Sequence, residues 1–254
     1  VNDDVAGAAA AQAARLASVR AAVAAAAVAA GRSAADVVIV GASKYQNIDV
    51  IVAAYDAGLK DFGENYAAEL RDKRAAFSQR RPDAKDVRWH VIGMVQRGNA
   101  KLIAAADLVH GVGAVGQADA LNAARARLDA ATGCGPLDVL IQINAAGEAS
   151  KNGVAIADVD ALAAHVGSLP ALRLQGLMTM PAFDDDDALA DAFGAVAAKA
   201  RALGLPIVSM GMSGDFAIAV AAGATMVRVG TRLFGPRPAA PPPPSENASS
   251  GASS

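Results

Sequence analysis

Between residues 37 and 235 the chain alternates short β-branched runs with helical runs, eight times over. The apolar runs fall at 37–40, 59–62, 87–92, 108–109, 137–143, 172–177, 206–208 and 226–229. Helical patterns follow at about 47–57, 65–77, 97–106, 115–131, 156–167, 186–203 and 214–222, with a short one after 231. Such alternation predicts a parallel sheet covered by helices. Eight units in roughly 200 residues fit a closed (β/α)8 TIM barrel better than an open doubly wound sheet. No G-x-G-x-x-G follows the first strand, which weakens the nucleotide-binding form of the open-sheet alternative.

The chain is expected to divide into three parts. Residues 1–31 form an Ala-rich helix packed on the barrel, with Arg15 and Arg20 on its polar face and Gly31 as its stop. Residues 32–237 form the barrel. Residues 238–254, with prolines at 238 and 241–244 and then Ser, Glu, Asn, Ala and Gly, hold no apolar pattern and are expected to stay disordered. The acidic start, Asp3-Asp4, argues that the Ala-rich stretch at 21–30 is an opening helix and not a targeting segment. Hydrophobic residues make up 54% of the chain but aromatics only 4%, so the core must be built from Ala, Val, Leu and Ile.

Charge and cysteine content exclude some functions. A net charge of −2 offers no basic excess for nucleic acid or an anionic membrane. No apolar run approaches the roughly 18–20 residues of a membrane span. Cys134 is the only cysteine, so no disulfide can form within the chain, which suits a reducing cytoplasm.

Chemistry concentrates at two places far apart in sequence. Lys44 ends the run Val37-Val38-Ile39-Val40-Gly41-Ala42-Ser43-Lys44, and so should reach the barrel mouth, where barrel active sites sit. A desolvated amine there favours its neutral, nucleophilic form; the bland alternative is a surface lysine at a strand end. Two Gly-rich turns come much later, Met210-Gly211-Met212-Ser213-Gly214-Asp215 and Val227-Arg228-Val229-Gly230-Thr231. They follow strands 7 and 8, where barrels often bind phosphate at the start of a short helix. Ser213, Gly214, Gly230 and Thr231 would supply backbone and hydroxyl donors. A mouth lysine facing a phosphate cradle across a pocket is what an imine to pyridoxal 5'-phosphate (PLP) requires.

Strand alternation turns Arg228 toward the barrel interior. There it could face a pyridine nitrogen, or pair with an internal Asp or Glu. Asn65 could bond a ring substituent or cap the next helix. His90 reads as a packed, locally bonded histidine. Lys151 could reach an anionic ligand or sit in solvent. Residues 184–187, four aspartates, read as a helix cap and not a metal site. The three histidines show no ligand spacing.

The chain resembles the pyridoxal phosphate homeostasis proteins, whose fold is like the N-terminal barrel of alanine racemase (fold type III among PLP proteins). The resemblance covers about residues 10–235. Its markers are Ser43-Lys44, Phe62-Gly63-Glu64-Asn65, Trp89-His90-Val91-Ile92-Gly93, the stretch from Gly147 through Lys151 to Val154, Gly176-Leu177-Met178-Thr179-Met180-Pro181, and the two late turns. It implies a PLP Schiff base at Lys44, phosphate contacts at Ser213, Gly230 and Thr231, and a pyridine contact at Arg228. It also implies a role in cellular vitamin B6 balance without established turnover, with apo PLP-dependent enzymes as candidate acceptors. A monomer and a weak homodimer are both compatible with the sequence. The rival reading is a PLP-dependent amino-acid racemase. Racemisation needs proton donors on both faces, and the chain has only Tyr45, Tyr55 and Tyr66 as tyrosines. Two stretches depart from the family pattern: Tyr45-Gln46-Asn47 after the lysine, and Gly98-Asn99 where a basic pair is usual.

Overall fold

The computed structural model describes residues 2–147, 152–181 and 183–236. The expected tail at 238–254 and Lys151 lie outside the described residues. Eight parallel strands close on themselves in chain order. They are β1 (Val38–Ala42), β2 (Asp61–Glu64), β3 (Arg88–Val91), β4 (Leu108–Val112), β5 (Leu137–Ile143), β6 (Leu172–Thr179), β7 (Ile207–Ser209) and β8 (Met226–Val229). Pairing of β1 with both β2 and β8 completes the ring. The helices are α1 (Asn2–Ala29), α2 (Ile48–Asp56), α3 (Ala67–Arg80), α4 (Ala100–Ile103), α5 (Val115–Thr132), α6 (Val159–Gly167), α7 (Asp186–Ala202), α8 (Phe216–Ala221) and α9 (Thr231–Phe234).

The period of two along each strand separates two cores. Outward residues such as Phe62, Trp89, Val109, Val139, Leu177 and Val227 pack under the helices. Inward residues Val40, Ile92, Leu108, Leu140, Met178 and Met226 form a second, smaller cluster. The barrel is therefore filled, not hollow. α1 lays Leu16, Val19, Val23 and Ala27 into the outer core at helical spacing. Arg20 is not only a solvated residue: its Nη2 donates to the Gly58 carbonyl at 2.8 Å and so binds the end of the α2 loop. Asp185 caps α7 by accepting from the Ala188 N–H, as the aspartate run suggested.

Several boundaries differ from the sequence reading. β1 stops at Ala42, so Lys44 sits in the turn beyond it. The Ser43 N–H still bonds the Gly63 carbonyl, and Tyr45 then turns the chain with a φ of 64°. The fourth helix shrinks to a 3-10 turn, Arg97–Asn99, followed by Ala100–Ile103. There the Asn99 side chain takes the Gln96 N–H and competes with regular helix. β4 extends to Val112 through a register shift around Gly111, and Gly113 follows its end; the two glycines concealed this extension in the sequence. α8 begins at Phe216, leaving Ser213 and Gly214 in the preceding turn.

Gly176 is required by close approach. A Cβ there would lie 1.9 Å from the Ile207 carbonyl oxygen, a backbone atom of the neighbouring strand. Gly176→Ala is expected to lower stability by about 1–3 kcal/mol through forced separation of β6 and β7. Urea unfolding checks this, and an unchanged midpoint would contradict it.

Candidate functional site

A cavity of about 290 Å³ opens at the C-terminal mouth of the barrel. Lys44, Asn65, Ser213, Gly214, Arg228, Gly230 and Thr231 all line it, together with Gln46, Ile92, Met180 and Met212. Every residue that the sequence put forward as a cofactor contact therefore meets in one place. Other hollows lie on the outer surface, one between α1 and the N-terminal rim and one beside α3, α4 and α5. Neither draws loops from opposite sides of the barrel together.

Lys44 stands on one wall, half-buried. Its backbone is clamped from below by α3. Lys73 Nζ donates to the Ser43 carbonyl at 2.6 Å, and Glu69 Oε1 accepts from the Tyr45 N–H at 2.6 Å. The residues before and after Lys44 are thus both held by one helix. Lys73 also reaches the fully buried Glu64 at 2.9 Å, and Ser43 Oγ donates to the same carboxylate at 2.5 Å. Burial raises the Glu64 carboxyl from 4.5 to about 7, with Lys73 and Ser43 opposing that rise. Among the described residues Lys44 itself has no carboxylate or hydrogen-bond partner, so its amine is uncommitted.

The opposite wall is made by the two glycine turns. The Arg228 N–H bonds the Gly211 carbonyl at 3.0 Å and ties the β7 loop to β8. Gly211 takes a φ of 89°, and a Cβ there would lie 2.6 Å from the Ala219 methyl. Thr231 and Arg232 open α9, whose first N–H groups have no acceptor within the helix. Ser213 and Thr231 line the same cavity.

Arg228 forms the floor and is only 3% exposed. Its Nη1 donates to Ser209 Oγ at 2.6 Å and its Nη2 to the Thr179 carbonyl at 3.0 Å. The expected alternative, an internal pair with Asp or Glu, is not what holds it: both partners are neutral oxygens. Burial brings its pKa down to about 10, while Asp215 pulls the other way. The guanidinium remains charged at neutral pH, with N–H groups to spare.

Asn65 does not cap α3, whose N-cap is Tyr66. Its place is the cavity wall. The departure after the lysine has clear structural roles. Tyr45 meets Tyr66, hydroxyl to hydroxyl, at 2.9 Å on the rim; Gln46 is buried and lines the cavity; and Asn47 caps α2. Among the described residues no tyrosine lines the cavity. The other departure, Gly98-Asn99, lies in the short turn before α4, away from the cavity lining. Sequence reasoning missed Gln46 and Met212 as lining residues, and missed Thr179 and Ser209 as the supports of Arg228. Inward parity on β7 was the available signal for Ser209.

A family model described as alanine racemase, N-terminal domain, matches residues 7–238. The chain is 40% identical over 232 residues to the pyridoxal phosphate homeostasis protein of Escherichia coli K12, covering 87% of this chain and 95% of that one. The chain belongs to the pyridoxal phosphate homeostasis protein family. A family member from Schizosaccharomyces pombe is 34% identical over 220 residues, covering 82% of this chain and 87% of that one. Among solved structures, a protein from Bifidobacterium adolescentis superposes with a TM-score of 0.82 at 31% identity, covering 90% of this chain and 96% of the other. PipY of Synechococcus elongatus, solved with PLP bound, gives a TM-score of 0.72 at 28% identity, covering 88% of this chain and all of PipY (100%). Among the described residues no helix is long and apolar enough to cross a membrane.

The raised Glu64 carboxyl has a consequence for stability. The folded chain holds this proton more tightly than the unfolded chain. Its contribution is therefore fully present below about 4.5 and is lost as pH rises toward 7. Wild type compared with Glu64→Gln should lose about 2–3 kcal/mol of relative stability between pH 4.5 and 8. Urea titrations at the two pH values measure it; a difference that does not change with pH would refute the assignment.

Proposed function

We propose that this chain binds PLP in the mouth cavity as a Schiff base on Lys44 and serves intracellular PLP homeostasis. One observation carries the reading. An uncommitted amine, a buried guanidinium without a carboxylate, and two glycine turns with hydroxyls all line the same cavity. Each suits one part of the cofactor: aldehyde, pyridine nitrogen and phosphate. A Cβ on Gly230 would lie 3.4 Å from the Ala42 carbonyl oxygen, so that turn approaches the Lys44 strand closely.

Lys44 Nζ would form the nitrogen–carbon double bond with the aldehyde, releasing one water. Ser213, Thr231 and the N–H groups of both turns would hold the phosphate. Asn65, on the same cavity, would bond a ring substituent. Arg228 would donate to the pyridine nitrogen. Because arginine does not readily give up its proton, that nitrogen would stay unprotonated. PLP supplies an electron-accepting ring when bound, and this contact would weaken it as a sink. The arrangement favours holding the cofactor over driving carbanion chemistry. Apo PLP-dependent enzymes are the acceptors such a holder would serve. Cytoplasmic placement agrees with a lone, exposed cysteine, Cys134.

Incubated with PLP and passed through gel filtration, wild type should keep an imine absorbance band that Lys44→Ala lacks. Borohydride reduction should fix the adduct on the Lys44 peptide. The same band surviving in the variant would defeat the proposal.

A further inference from the structure

A line of hydrogen bonds runs through the barrel interior beneath Arg228. Arg228 Nη1 lies 2.6 Å from Ser209 Oγ, and Ser209 Oγ lies 2.9 Å from His110 Nδ1. His110 Nε2 lies 3.0 Å from His90 Nδ1, and His90 Nε2 lies 3.0 Å from Asp61 Oδ1. Ser209, His110 and His90 are fully buried. Arg228 borders the mouth cavity, whereas Asp61 borders the hollow at the N-terminal rim beside Lys60 and Arg20. The line therefore crosses the barrel from one face to the other.

Its two ends fix its direction. A guanidinium can only donate and an ionised carboxylate can only accept. Ser209 Oγ accepts from Arg228, so its own proton must go to His110 Nδ1. His110 then carries its proton on Nε2 and gives it to His90 Nδ1. His90 carries its proton on Nε2 and gives it to Asp61. Every donor finds an acceptor, and both rings are neutral. The opposite tautomers would leave the Ser209 proton without a partner in a dry interior, at the full cost of an unmade bond. Burial, with His90 and Arg228 nearby, also holds His110 well below its ordinary pKa.

We propose that Asp61, His90, His110 and Ser209 form a one-way hydrogen-bond relay that positions Arg228 as a donor to the mouth cavity. Asp61 is then a positioning residue acting from the far face of the barrel. It ends the line on a carboxylate, adding through polarised bonds to the pull that Asp215 exerts on Arg228. Its effect on PLP rests on the function proposed above. The relay itself is a property of the cofactor-free chain.

The test has two arms. Long-range proton–nitrogen NMR on histidine-labelled, PLP-free protein should find Nε2 protonated and Nδ1 bare on both His90 and His110. A proton on either Nδ1 at neutral pH would overturn the relay. Asp61→Ala should blur both rings into tautomer mixtures, and Asp61→Asn, which keeps an acceptor oxygen, should restore them. Unchanged rings in Asp61→Ala would also overturn it.

The second arm reads PLP affinity and the absorbance band of the loaded protein. Asp61→Ala and Ser209→Ala should each weaken PLP binding on the order of tenfold and shift the band. Asp61→Asn and Ser209→Thr should recover most of both, and Lys60→Ala, next to Asp61, should change neither. Rings that respond while PLP binding and spectrum stay fixed would refute the positioning role. Wild type failing to take up PLP would instead sink the proposed function, leaving the relay to be judged by the NMR arm. Should Asp61→Ala not fold, Ser209→Ala with its threonine rescue decides alone.

Discussion

A guanidinium does not readily shed its proton, and an unpaired one is costly in a dry interior. Arg228 places that demand inside the barrel, and much of the surrounding polar structure answers it. The Thr179 carbonyl at the end of β6 and the Ser209 hydroxyl on β7 accept two of its N–H hydrogen bonds. Ser209 in turn leans on His110 from β4, then His90 from β3 and Asp61 from β2. The polar line draws on five strands, β2, β3, β4, β7 and β8, and threads the inward positions that the apolar cluster leaves open. Polar and apolar groups share the interior, with Leu108, Leu140, Met178 and Met226 filling the rest.

The two walls of the cavity are built by different means. On the lysine side a helix does the work. Lys73 and Glu69 of α3 bond the backbone on either side of Lys44, leaving the side chain between them free to reach into the cavity. The buried Glu64 keeps Lys73 in place, at the expense of an unfavourable carboxylate burial. On the other side backbone geometry does the work. Gly211 adopts a conformation that side chains resist, and the β7 loop is tied to β8 through Arg228's own N–H. A rigid lysine backbone facing an open cradle suits a site that holds a ligand in one orientation.

The barrel was legible because its signal is repeated. Eight apolar runs separated by helical ones leave few other solutions, and small boundary errors do not change the topology. That seven named residues line one cavity was legible because strand parity and position in the repeat bring strand ends to one mouth. Arg228 could be turned inward by parity alone, but its partners could not be named. Ser209, Thr179, His110 and Asp61 lie on four strands, with 148 positions from Asp61 to Ser209, and local pattern carries no information about which inward groups meet. The fourth helix failed for a local reason: Asn99 bonds the backbone of Gln96 and prefers a tight turn.

By itself the sequence determined the alternation, the inward or outward facing of strand residues, and the places where glycine frees the chain to turn. These follow from covalent geometry and from periods of 2 and 3.6 residues. Tertiary structure alone decided that Arg228 meets neutral oxygens instead of a carboxylate, that α3 grips the backbone around Lys44, and that two histidines without any metal-ligand spacing touch across neighbouring strands. Such contacts depend on strand register and on how closely the barrel closes, and those are set by the packing of the whole ring.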